Sequence, residues 1–182
     1  MKNRLAPIVA FLLVIATPAF AHDDNASGLV GKVTFPTSCD PRVQQTFETA
    51  VAMLHSYWFP EAEKTFNAVL RDDPRCAIAH WGLAVTLLDN SLSGPPTAKN
   101  AASAMESLEK ARAIGAKTER ERDWIDAIGA YYKDSDTVPL DVRIAAYTKA
   151  LERMTVKYPD DFEVWVFYAL MLQSSAPKDD RT

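Results

Sequence analysis

Seven apolar stripes, each stepping by three or four residues and each cut off by proline, glycine or an acidic turn, confine this chain to packed helices. Asp40-Pro41 places an N-cap acceptor before a proline at the first helical position, and Val43, Phe47, Ala50, Val51, Leu54 and Trp58 follow along one face. Pro60 restarts the chain, and Ala62, Phe66, Val69 and Leu70 form a second stripe that ends before Asp73-Pro74. A third helix is predicted from Arg75 to Asn90, with Ala77, Trp81, Ala84 and Leu88 on one face. Gly94-Pro95-Pro96 is a break no helix tolerates. The fourth stripe is Ala101, Met105, Leu108 and Ala111, stopped at Gly115. Thr118 with Glu121 reads as a capping box for the fifth helix, which carries Trp124, Ile128 and Tyr131. Beyond a loop at residues 134–138, Pro139 starts the sixth, with Leu140, Ile144, Tyr147, Leu151, Met154 and Tyr158. Asp160 with Glu163 is expected to cap the seventh, whose stripe is Phe162, Trp165, Ala169 and Leu172. No stretch alternates as an amphipathic strand does, so the expected fold class is all-α.

The N-terminus bears on the compartment. Lys2 and Arg4 precede a nearly unbroken apolar run from Leu5 to Ala16, and Ala19-Phe20-Ala21 supplies the small residues of a signal-peptidase site. The run is shorter than the ~20 residues that span a bilayer, so cleavage is expected rather than a retained anchor. That divides the chain into a signal peptide (1–21), an irregular leader (22–40), a helical domain (41–174) and a polar tail (175–182). Export makes the protein periplasmic or extracellular, with no stable membrane insertion once the signal is removed. Losing Lys2 and Arg4 takes the net charge from −4 to −6, and the remaining cations form no cluster. Nucleic acid, whose binding rests on phosphate neutralisation, is a poor partner for such a surface. Two cysteines, Cys39 and Cys76, in an oxidising compartment suggest a disulfide. The alternative is a pair of buried thiols.

The helices come in pairs, and the pairs share spacings. Ala62 and Phe66 are followed eight residues later by Pro74, and Tyr147 and Leu151 eight residues later by Pro159. Trp165, Ala169 and Leu172 then take the aromatic, small and large positions of a following first helix, and Trp124 and Tyr131 repeat the seven-residue aromatic step. Small residues at Ala50, Ala62 and Ala169 would let paired helices approach closely. This pattern resembles the tetratricopeptide repeat, a helical hairpin of ~34 residues with W-x2-L-G-x2-Y, A-x3-F and a closing proline. Trp81, Trp124 and Trp165 are 43 and 41 residues apart, an excess that the two loop insertions absorb. The chain further resembles a bacterial secreted subgroup of such proteins. Phe35-Pro36-Thr37-Ser38-Cys39, Leu54-His55-Ser56, Asp73-Pro74-Arg75-Cys76-Ala77 and Ala79-His80-Trp81-Gly82-Leu83-Ala84 carry the likeness, with residues 118–124 and 158–161 adding to it. The resemblance implies a right-handed solenoid of antiparallel helix pairs, about three pairs plus one further helix. It also implies that the chain is an N-terminal portion of a longer protein, in which case an uncovered seventh helix would fray or self-associate.

Chemistry-bearing groups are sparse. His55 and His80 lie on adjacent first helices, and Asp89 is the nearest acid that could complete a metal site. His22 would be a mature N-terminal residue able to chelate copper. Ser56 beside His55 sits on a different helical face, no GxSxG or phosphate-cradling loop occurs, and the paired acids fall at termini or caps. Three of the four tryptophans recur at repeat positions and are expected in the core, with Trp58 the one that could be exposed. These residues point to a binding scaffold with no catalytic centre and no cofactor. Aligning the groove positions of a tetratricopeptide repeat onto Pro74, Trp124 and Trp165 gives Gln44, His55, Arg122, Tyr132, Lys133, Glu163 and Gln173 as candidates for holding a peptide backbone and a carboxylate. The expected partner is a protein or peptide, with self-association open. The rival reading is the N-terminal part of a metal-binding protein or metal-dependent envelope enzyme.

Overall fold

A computed structural model of the protein describes residues 30–88 and 95–176, so the signal segment, His22 and Asp89 lie outside the described residues. Seven α-helices run through that part of the chain: α1 (Gln44–His55), α2 (Phe59–Asp72), α3 (Ala77–Thr86), α4 (Ala98–Ile114), α5 (Glu119–Tyr132), α6 (Leu140–Lys157) and α7 (Phe162–Ser175). No strand occurs among the described residues, and the fold is all-α. Each helix packs on the next in sequence, while α1 also meets α3, and α3 meets α5. Helices α1, α3 and α5 therefore adjoin one another in series.

Local chemistry explains most of the boundaries. The Asp40 carboxylate accepts from the Arg42 N–H and opens a 3-10 turn at Pro41–Val43 that leads into α1. Hydrogen bonds from the Arg42 side chain and then from the Arg42 backbone N–H push the Asp40 carboxyl down to about 2. Thr97 caps α4 by accepting from the Asn100 N–H. Gly115, at φ 81°, ends α4 in a conformation that glycine adopts without penalty. The Thr118–Glu121 capping box forms in both directions. Gly82 is required by proximity: a Cβ there would stand 2.4 Å from the Phe66 ring, so α2 and α3 pack through a bare backbone.

The largest differences from expectation fall on α3 and α7. Helix α3 starts at Ala77 and ends at Thr86, shorter than the predicted 75–90. Asp160 does not cap α7. The N-cap is Asp161, whose carboxylate makes no cap bond and accepts from Arg120 at 2.6 Å, while Glu163 turns to His55. The predicted stripe of α7 faces outward: Phe162 is 82% exposed, Trp165 and Leu172 are each 45%, and Ala169 is exposed as well. Val164, Phe167 and Met171 are the buried face. A helix apolar on every side carries no periodic signal to fix its rotation, so tertiary partners decide it. Trp81 and Trp124 are wholly buried as expected, whereas Trp165 donates its indole N–H to the Pro159 carbonyl at the surface.

Cys39 and Cys76 are bonded, with Cα atoms 4.8 Å apart. The bond ties the residue just before the 3-10 turn to the N-cap of α3. A disulfide fits an oxidising compartment, and no helix among the described residues is long and apolar enough to cross a membrane.

Candidate functional site

The leader is part of the core. Residues 30–40 form neither helix nor strand, yet Phe35 is completely buried. Its ring lies 5.2 Å from Phe47 of α1, 5.2 Å from Trp81 of α3 and 5.4 Å from Trp124 of α5. Phe167 of α7 closes the cluster, 5.6 Å from Trp81 and 5.3 Å from Trp124. The Arg120 guanidinium covers Phe35 at 4.2 Å from the ring centroid, a cation–π arrangement strengthened by partial desolvation. Helices α1, α3 and α5 thus converge on one leader side chain, and α7 closes the cluster through the two tryptophans.

Side chains also hold the leader's backbone. The Gln44 amide donates to the Phe35 carbonyl at 2.8 Å, and its oxygen accepts from the Thr37 N–H and hydroxyl. Glu48 accepts from the Phe35 N–H at 3.0 Å. Arg120 donates to the Pro36 carbonyl, and Lys117 to the Ser38 carbonyl at 2.8 Å. Glu121, 1% exposed, accepts from the Ser38 N–H at 2.7 Å and from the Ser38 hydroxyl while completing its capping box with Thr118. Four donors on one buried carboxylate satisfy its charge without a cation. Glu121→Gln puts an amide N–H2 where donors now point, and we expect a loss of about 2–3 kcal/mol. Chemical denaturation measures it; unchanged stability would mean that this network contributes nothing net.

The candidate residues of the groove separate into two groups. Gln44 binds the leader. His55 and Glu163 come together from opposite ends of the fold, with Nε2 2.6 Å from the carboxylate oxygen and Phe167 beside the imidazole at 5.4 Å between ring centres. Glu163 is nearly buried and His55 partly so. The other four do not join them. Arg122 is exposed and donates to the Ala116 carbonyl in the turn before α5. Tyr132 is buried between helices, its hydroxyl donating to the Ala84 carbonyl at 2.9 Å. Lys133 caps the end of α5 and Gln173 is exposed on α7.

His80 joins no group of three metal-ligating side chains among the described residues. It is half-buried near Lys110, and burial, with that charge as a lesser cause, holds its imidazole below the ordinary histidine pKa. The one cluster of three metal-ligating residue types among the described residues is Cys39, Asp73 and Cys76, and both sulfurs there are spent in the disulfide.

Beside the leader the same face stays open. A cavity of about 330 Å³ lies between the ends of α1 and α3, the start of α2, the middle of α6 and the buried side of α7, with Lys32 and Val33 of the leader at its rim. His55 and Glu163 line it together with mainly aliphatic and aromatic side chains. A second, more polar depression of about 650 Å³ lies across the leader, between Arg120 and the turn at residues 158–161. Sequence reasoning missed Glu48, Lys117, Arg120 and Glu121 as leader contacts. The signal for Glu121 was present but read as capping alone, although it performs both jobs. No family model, no curated protein and no solved structure matches this chain.

Proposed function

We propose that the protein is an exported scaffold of the tetratricopeptide type, a right-handed stack of helix pairs that binds an extended segment of another protein along the face shared by α1, α3, α5 and α7. The observation that carries this reading is the leader itself. Residues 35–38 lie on that face without secondary structure, held through their backbone by Gln44, Glu48, Lys117, Arg120 and Glu121 and anchored by one aromatic side chain. Main-chain hydrogen bonds together with a pocket for a side chain are a recurring means of holding an extended peptide. The odd–odd contacts α1 with α3 and α3 with α5 support a stacked arrangement, and the disulfide supports an exported protein. Because the leader fills the Trp81–Trp124 part of the face, a partner engages the remaining stretch, at Lys32, His55 and Glu163.

A display library of unstructured peptides selected against the disulfide-bonded protein tests the reading. Selected peptides should bind saturably and weaken at least about tenfold with His55→Ala and with Lys32→Glu, while Lys99→Glu on the exposed surface of α4 changes nothing. Equal affinity for all variants would place the binding surface elsewhere and overturn it.

A further inference from the structure

We propose that the cavity between α1, α3, α6 and α7 binds a small, neutral, largely apolar molecule carrying a single hydrogen-bonding group, of the phenol or aryl alcohol class. This is independent of peptide binding by the same face. At about 330 Å³ the cavity falls at the small end of the range for small-molecule sites, roughly 300–1,000 Å³. Leu54, Val85, Phe59 and Phe167 are typical of its walls, a setting that favours an aromatic body over a polar one.

Tyr147 supplies the specific feature. It lines the cavity from α6 and is wholly buried, and its hydroxyl has no hydrogen-bond partner among the described residues. A buried hydroxyl without a partner is costly, and such groups in folded proteins ordinarily meet a water or a ligand. Burial raises the Tyr147 pKa, so the group offered is a neutral phenol. A neutral donor in an apolar wall matches a neutral acceptor such as a hydroxyl oxygen; a charged head group placed against that wall would lose its hydration.

The ionisable groups of the cavity reinforce this selection. His55 and Glu163 satisfy each other. Lys32 is exposed at the rim and has no ion-pair partner among the described residues. None of the three is a charged group free within the walls. An anion would therefore be held only at the mouth, with its apolar body only partly covered.

Three isosteric probes separate the possibilities: 2-naphthol, naphthalene, which lacks the hydroxyl, and 2-naphthoate, which carries a charge. Titration calorimetry on the full disulfide-bonded protein should show 2-naphthol binding one to one, at about 100 µM or tighter for a ligand of this size. Naphthalene and 2-naphthoate should each bind about tenfold more weakly. Tyr147→Phe keeps the ring and should bring 2-naphthol down to the affinity of naphthalene while leaving naphthalene unchanged. Val166→Trp, on the half-exposed side of the cavity, should abolish binding of both, and its thermal melt shows that it is folded. Absence of saturable 2-naphthol binding overturns the site. Tighter binding of 2-naphthoate overturns the neutral class, and equal binding of 2-naphthol to wild type and Tyr147→Phe overturns the role of the hydroxyl.

Discussion

Phe35→Ala should destabilise the protein by about 4 kcal/mol, the cost typical of emptying a fully buried aromatic site, and lower its melting temperature by roughly 8–16 °C for a chain of this size. The residue lies outside every helix, so a purely helical account of stability predicts almost no effect. The structure predicts a large one because Phe35 fills the space among Phe47, Trp81 and Trp124 and supports the Arg120 guanidinium from below. Removing the ring opens a cavity lined by two tryptophans and takes from Arg120 the nearer of the two rings beneath it. Tryptophan emission should shift as Trp81 and Trp124 lose their neighbour. Phe35→Leu, which keeps most of the volume, should cost less than half as much. A loss below about 1 kcal/mol for Phe35→Ala in a thermal melt would show that the leader is an ornament on a finished helical core.

Breaking the Cys39–Cys76 bond should cost about 4 kcal/mol, from closure of a loop with a sequence separation of 37 in the unfolded chain. Cys39→Ser is the cleaner variant, since Cys39 is only partly buried whereas Cys76 is completely so, and a hydroxyl at Cys76 would add its own burial penalty. The native geometry should survive the substitution. The Asp40 N–H still donates to Asp73 at 2.8 Å, and Phe35 still holds the leader in place. The loss should therefore appear in denaturant midpoints with little change in the native tryptophan spectrum. A variant as stable as the parent would mean that those contacts already restrict the chain as fully as the bond does.

How much of this was legible in the sequence depends on which physical signal each element carries. Helices α1, α2, α4, α5 and α6 announce themselves through one-sided apolar spacing and through Asp40-Pro41, Pro60, Gly115, the Thr118–Glu121 box and Pro139. Such signals are local, and they survive folding. The rotation of α7 was not legible because Phe162, Val164, Trp165, Val166 and Phe167 offer apolar surface in every direction. The choice among them is made by Phe167 meeting two tryptophans and by Glu163 meeting His55. The leader escaped for a related reason: a single aromatic residue in an irregular stretch has no period, and its burial depends wholly on contacts distant in sequence. For the site, Gln44, His55 and Glu163 were reached by repeat alignment. Arg122, Tyr132, Lys133 and Gln173 were placed by the same alignment and go to other surroundings.

The convergence on Phe35 also bears on how the molecule comes apart. In a row of units where each touches only its neighbours, the ends can melt while the middle stays folded, and the units form in any order. Here Ser38 is joined to Glu121 across 83 residues of chain and His55 to Glu163 across 108. The first contact needs the leader and α5 in place, and the second needs the first and last helices together. Terminal fraying is thus coupled to loss of the aromatic centre, and unfolding should follow one all-or-none transition, with far-ultraviolet and tryptophan signals superimposing. Folding should be slower than its helical content suggests, because closing such long stretches of chain comes before the contacts that reward it.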